Sequence, residues 1–186
     1  MQERALIQEI INGSKEAMAA LYRQHAPKLL LIARKYSAND DDAADLVQDA
    51  FVFIFNNMRK YEASGSLEGW MSRIVINMAI SNYKKNVKMN VVHADKEPQP
   101  VYVQDDLMEN VSLDTILECV QKLPDQYRLV FNLYEMDGLP HHEIARLLNI
   151  SIGTSKSNLY RAKTLLKQHI TAAAAKKKPL LSYDAV

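Results

Sequence analysis

The sequence predicts an all-α protein made of two helical domains joined by a flexible linker. Three observations carry this. Apolar residues recur at helical spacing through most of the chain, with Ser, Asn, Gly or Pro wherever a stretch starts or stops. Between these stretches, HADKEPQPVYVQDD is polar, contains Pro98 and Pro100, and has no helical period, as an interdomain linker does. Near the C-terminus, LPHHEIARLLNISIGTSKSNLYRAKTLLK parses as two helices joined by a tight turn, the layout of a helix-turn-helix.

Taken in order, residues 3–11 make a short helix that stops at Asn12-Gly13, and Ser14 caps the next one. There Ala17, Leu21, Leu29, Leu30, Ile32 and Ala33 follow helical spacing, and Pro27 marks a kink or a break. Asp40, Asp41 and Asp42 load negative charge where a helix N-terminus favours it. The helix that follows, AADLVQDAFVFIFNN, carries Leu46, Val47, Ala50, Phe51, Phe53, Ile54 and Phe55, more apolar surface than one core-facing stripe needs. Burial on most sides accounts for most of these. The part flanked by Asp45, Gln48 and Asp49 is a candidate surface for docking a partner protein. Residues 58–66 form a loop with Gly65 as its most flexible point. Ser66 caps a further long helix, LEGWMSRIVINMAISNYKKN, whose inward face is Trp70, Ile74 and Met78. Arg73, Asn77, Ile80 or Ser81, and Lys84 share another face, cationic and hydrogen-bonding as a nucleic-acid reader's would be.

After the linker, SLDTILECVQKL turns Ile116, Leu117, Val120 and Leu123 inward, and Pro124 opens another helix that ends at Gly138. In the helix-turn-helix, Pro140 suits a first helical position, and Ile144, Ala145, Leu147 and Leu148 supply the apolar stripe. Asn149 tolerates the left-handed conformation that closes the first helix, and Ser151 caps the second. Ile152, Leu159, Ala162, Leu165 and Leu166 are expected inside, and Thr154, Lys156, Ser157, Asn158, Tyr160 and Arg161 outside. Lys and Arg neutralise phosphates, while Asn and Ser exchange hydrogen bonds with base edges. The alanines after Thr171 continue the last helix, and the lysine-rich tail frays at Pro179.

The formal net charge of +1 over 186 residues hides a strong segregation. Between Lys35 and Arg59 the only charges are acidic, and between Met71 and Ala94 they are all basic. No acid occurs from Ile144 to Tyr183. Separate acidic and basic faces imply separate partners, one of them polyanionic. The single Cys119 excludes an internal disulfide and a cysteine-rich zinc site, and reads as a small buried hydrophobe. His141 and His142, about 100° apart on a helix, are poorly placed to share a metal, so neither a metal nor another cofactor is expected. There is no Gly-rich phosphate loop and no nucleophile grouping, so no catalytic residue is assigned and an enzyme is not expected. The N-terminus lacks a secretory pattern and no stretch approaches the roughly 20 apolar residues of a membrane span, which makes a cytoplasmic protein without membrane insertion the expectation.

Four stretches in this order resemble one family, the bacterial extracytoplasmic-function sigma factors, which contain only the two domains called sigma-2 and sigma-4. MAALYRQHAPKLLLIARKYS resembles the opening of sigma-2, and DDDAADLVQDAFVFIF is similar to the family's segment that docks on the polymerase β′ subunit. SLEGWMSRIVINMAISNYKK looks like its −10 element reader, and the stretch from LPDQYRLVF to RAKTLL resembles sigma-4. The resemblance implies a sigma-2 helical bundle over 1–88, a linker over 89–110, a sigma-4 domain over 111–170 and a basic tail over 171–186. It implies that Asp45, Leu46, Gln48, Asp49 and Phe51 contact core RNA polymerase, whose β′ and β subunits would be partners along with promoter DNA and an anti-sigma factor. Tyr61, Ser64, Gly65 and Ser66 would help capture a flipped base of the −10 element with Asn77 nearby, while Arg73, Lys84 and Lys85 hold the strand's backbone. Thr154, Lys156, Ser157, Asn158, Tyr160 and Arg161 would read or clamp the −35 duplex. Polymerase itself would perform the nucleotidyl transfer. Two residues depart from the pattern: Pro140 stands where the family usually has a capping Ser or Thr, and Asn158 where it commonly has Arg. The competing reading is a free-standing helix-turn-helix regulator, which needs no acidic docking helix paired with a basic strand-reading one.

Overall fold

The computed structural model describes residues 2–63, 65–89 and 111–177, which fall into two compact units, one within 1–92 and one within 93–186. All regular structure among the described residues is helical. Met89 ends a helix, and residues 90–110 of the expected linker lie outside the described residues, as do Ser64 and the tail from 178 onward.

The first unit contains α1 (Gln2–Ile11), α2 (Lys15–Tyr36), α3 (Asp40–Asn57) and α4 (Leu67–Met89). Local chemistry sets their ends. Gly13 takes a φ of +88°, which a Cβ would disfavour, and lets the chain reverse between α1 and α2. The Ser14 hydroxyl then accepts the Ala17 N–H at 3.2 Å, and Asn39 Oδ1 accepts the Asp42 N–H at 2.8 Å. Asp40, Asp41 and Asp42 fill the first turn of α3, where each carboxylate contributes about 0.3–1 kcal/mol against the helix dipole. Pro27 does not break α2, which runs unbroken from Lys15 to Tyr36. Pro27 and Arg23, whose carbonyl loses its N–H partner, both lie on the exposed side, so water can satisfy that carbonyl.

The helices α2, α3 and α4 pack on one another, and α1 lies against α2 and a 3-10 turn at Met58–Lys60. Leu21, Leu29, Ile54, Met58, Leu67 and Met71 are almost wholly buried at the centre. At about 1.5–3 kcal/mol for each such side chain, this core is what commits the marginal individual helices to one arrangement. An exposed ion pair at 2.7 Å between Lys28 and Glu68 joins α2 to α4 and adds little beside it.

The second unit contains α5 (Leu113–Gln121), α6 (Asp125–Phe131), α7 (His141–Leu148) and α8 (Ile152–Lys177), with α5, α6 and α7 all packed on α8. Cys119 is buried, as a small hydrophobe is expected to be. Arg128 is only 3% exposed. Its guanidinium donates to the carbonyls of Gln121 and Leu123, both at 2.7 Å, and to the Asp125 carboxylate, so it closes the end of α5 from within α6. The single helix expected as far as Gly138 instead widens into a π turn at Asn132–Met136, closed by Asp137 N–H to Asn132 O at 3.0 Å. Gly138, at φ +70°, then reverses the chain. At the other end α8 continues past residue 170 to Lys177, so the first part of the expected tail is helical. No helix among the described residues is long and apolar enough to cross a membrane.

Candidate nucleic-acid interface

On α3 the inward stripe is Ala43, Leu46, Val47, Ala50, Phe51 and Ile54, all buried. Moving two residues along a helix turns the side chain by about 200°, so Asp45, Gln48, Asp49, Val52 and Phe53 lie on the opposite face. All five are exposed, Val52 at 60% and Phe53 at 45%. Of the expected polymerase contacts, then, Asp45, Gln48 and Asp49 share a free surface. Leu46 and Phe51 do not: they are core residues, and the Phe51 ring packs between those of Tyr22 and Phe55. Val52, which the sequence pattern does not single out, and Phe53, one of the apolar residues in excess of a single core-facing stripe, supply the apolar part of that surface. Their i+7 and i+8 spacing from Asp45 was the signal.

Beyond α3, an open cavity of 410 Å³ is lined by Lys60, Tyr61, Glu62, Gly65, Ser66, Gly69, Trp70 and Arg73. The Tyr61 and Trp70 rings face each other at a centroid distance of 5.5 Å and a tilt of 46°. Trp70, expected in the core, is thus a half-buried wall of this cavity. The Tyr61 hydroxyl donates to the Gly65 carbonyl at 2.6 Å and pins the loop. Desolvation, and after it the Glu3 carboxylate of α1, push the pKa of this phenol above its usual 10, which keeps it a donor. Among the described loop residues, Ala63 takes a left-handed backbone, at φ 53°. A Cβ there costs roughly 1–2 kcal/mol, strain that the surrounding contacts must hold. Ser66 accepts the Gly69 N–H at 3.1 Å and starts α4 beside the cavity. Gly69 is close enough that a Cβ would meet the Ser66 hydroxyl at 3.0 Å. Along α4, Arg73, Asn77, Ser81, Lys84 and Lys85 are all exposed, whereas Ile80 is buried. The basic stripe therefore begins at the cavity wall.

In the second unit α7 ends at Asn149, whose φ of 56° and ψ of 49° are left-handed, and Ser151 accepts the Thr154 N–H at 2.9 Å to start α8. This is the expected helix-turn-helix. Lys156, Ser157 and Tyr160 stand on the outer face, Tyr160 at 68% exposure. Thr154 is half-buried, its hydroxyl 2.8 Å from that of Ser151. Arg161, also half-buried, donates to the Tyr127 hydroxyl at 3.3 Å. Asn158 corrects the expectation of an outward side chain: it is 3% exposed, and among the described residues its amide nitrogen has no partner. It lies three residues after buried Ser155 and four before buried Ala162, on the inward stripe. Ile152, expected inside, is exposed at the helix start, and Leu165 and Leu166 are half-buried.

Residues 21–88 match the family described as Sigma-70 region 2, and residues 113–166 match Sigma-70, region 4. With both regions present in the order the fold displays, the chain belongs to the extracytoplasmic-function sigma factors of RNA polymerase. The ECF RNA polymerase sigma factor SigE of Mycolicibacterium smegmatis is 28% identical over 85% of this chain, which spans 64% of that protein's length. The ECF RNA polymerase sigma factor SigW of Bacillus subtilis is 26% identical over 91% of this chain and 97% of its own. Among solved structures, the sigma factor RpoE of Bartonella quintana, crystallised with the anti-sigma factor NepR, aligns at a TM-score of 0.48. That alignment has 21% identity and covers 82% of this chain and 95% of that one.

Proposed function

We propose that this chain directs promoter-specific initiation by core RNA polymerase, performing no covalent step itself. The exposed α3 stripe of Asp45, Gln48, Asp49, Val52 and Phe53 docks the polymerase, its acids on the N-terminal side of an exposed apolar pair. The aromatic cavity takes up an unstacked base of the −10 element, with Arg73, Asn77, Lys84 and Lys85 following the strand. Base edges are inaccessible within an intact stack, and each stacking contact with an aromatic side chain contributes about 1–3 kcal/mol towards holding the base out. In the second unit, Lys156, Ser157, Tyr160 and Arg161 engage the −35 duplex. Core polymerase, promoter DNA and an anti-sigma factor are the partners, and the cytoplasm is where polymerase is met.

The observation that carries the reading is the continuity in the first unit. One stripe of cations and amides starts at a cavity walled by two aromatic rings, the combination single-stranded nucleic acid requires. The test is transcription by purified core polymerase on a pool of genomic fragments, with and without the protein. Defined transcripts that need the protein support the proposal and read out both promoter elements. No transcripts, together with tight duplex binding by the protein alone, would instead make it a free-standing regulator.

A further inference from the structure

His141 opens α7 and is held from two sides. Its ring stacks on Tyr134 of the π turn, with centroids 4.4 Å apart and planes 20° apart. Its Nδ1 lies 2.9 Å from the hydroxyl of Ser155, a wholly buried residue of α8. The stack sets the ring plane and the hydrogen bond sets its rotation, so the Nε2 edge has one direction in which to act. Among the described residues that edge has no partner.

The charged groups around the ring are few. On α8, Lys156 follows Ser155 and its ammonium acts on the imidazole. On the π turn, Glu135 is occupied by Lys163 at 2.6 Å, and Asp137 closes the turn with its N–H on Asn132 O. On α7, His142 and Glu143 face each other at 3.9 Å, and Arg146 lies a turn further on. Among the described residues, the ring's partners are Tyr134 and Ser155, and the charge that acts on it is that of Lys156. Burial first, and Lys156 second, hold the His141 pKa below its ordinary 6.5, so the ring is neutral at neutral pH. An anion arriving beside Lys156 reverses the second influence and opposes the first.

We propose that His141 is a DNA phosphate contact: as the duplex docks on α8, its Nε2 edge donates to a backbone phosphate near Lys156, and the ring takes up a proton from solvent. The proposal rests on reading the second unit as a duplex binder. In a helix-turn-helix the first helix crosses the backbone while the second enters the groove, which places the start of α7 where phosphates pass. Tyr134 and Ser155 are then positioning residues that aim the contact.

Proton uptake on binding makes affinity rise as pH falls, by up to tenfold per pH unit in the window between the free and bound pKa values. One further charged phosphate contact also steepens the salt dependence by about 0.9 in the log–log slope. The experiment is duplex binding by the full chain, with the fragment recovered from the transcription pool, measured at about pH 6 and about pH 8 and at several salt concentrations. Wild type should bind several-fold tighter at the lower pH, with a steeper salt slope. His141→Gln should lose both gains, and His142→Gln, altering the exposed neighbour, should keep them. An identical pH gradient in wild type and His141→Gln would overturn the proposal. A titration of the wild-type His141 ring by NMR needs no variant: its midpoint should rise when duplex is added, and an unmoved midpoint also overturns it. Lys156→Ala with Arg161→Ala separates the two claims. If that pair binds duplex as wild type does, the duplex surface itself is misplaced and the His141 contact falls with it. If the pair is weakened while the pH gradient survives His141→Gln, only the His141 contact falls.

Discussion

Replacing Asn158 by leucine separates burial from recognition on α8. The Asn158 amide nitrogen is enclosed without a partner among the described residues, on a residue 3% exposed. An enclosed donor without an acceptor costs about 1–3 kcal/mol relative to water, and leucine matches the branching of asparagine at Cγ without that penalty. Allowing for imperfect fit of the new methyl groups, a gain near the lower end, about 1 kcal/mol, is expected. For a unit of this size such a gain raises the midpoint of thermal unfolding by about 4–8 °C. Calorimetry of the full chain measures it, with hydrogen exchange assigning the shifted transition to the second unit. Duplex affinity and its sequence preference should be unchanged, because the side chain points away from the DNA face. A lower midpoint, or lost discrimination between duplex sequences by a folded variant, would refute the reasoning and return Asn158 to the readout surface.

Asp49→Arg should abolish core polymerase binding in a pull-down while leaving the circular dichroism spectrum and unfolding midpoint of the free protein intact; unchanged polymerase affinity would remove α3 as the docking helix. Arg128→Met leaves the Gln121 and Leu123 carbonyls without their donor and should destabilise the second unit by about 3 kcal/mol in urea titration, with Arg128→Lys between it and wild type. A loss below about 1 kcal/mol would mean the clamp is replaceable. His25 is buried, its Nδ1 has no partner among the described residues, and desolvation holds its pKa below 6.5, partly offset by Glu68. A lowered folded pKa means the unfolded chain binds the proton more readily. Its contribution is therefore present above pH 6.5 and lost as pH falls through the lower folded value. The first unit should lose stability over that acid window, and His25→Leu should flatten the loss. An equally steep acid loss in the variant would assign it to other groups.

The starts and stops of the helices were legible because each is decided within three or four residues. Ser14, Ser66 and Ser151 cap, Gly13 turns, and Asn149 goes left-handed without help from the rest of the fold. Facing was less legible. Leu46 and Val52 are equally apolar in sequence, and only packing against α2 and α4 decides which is core and which is surface. Asn158 misled for the same reason, since polarity predicts exposure only where no neighbouring helix claims the stripe. Arg128 and the π turn left no local signal at all. An arginine at the start of a helix reads as solvated, and a one-residue widening leaves the apolar pattern nearly intact. Trp70 has the spacing of a core residue, since one aromatic in a helical pattern usually is; its partner Tyr61 comes from a loop whose path the helical period cannot supply.

The π turn has a consequence for how this chain can change in length. In a regular α-helix, gaining or losing one residue swings everything beyond it by about 100° and would turn a buried face outward. Residues 127–133 are buried in succession, and the turn at Asn132–Met136 then releases Tyr134, Glu135 and Met136 to the surface. The widened turn takes up one residue that the core does not register. It is where a single-codon deletion could be absorbed by tightening the coil, while the same deletion inside Asp125–Phe131 would scramble the packing against α8. Within Asp125–Met136, a one-residue change in length is thus best absorbed at the turn that carries Tyr134.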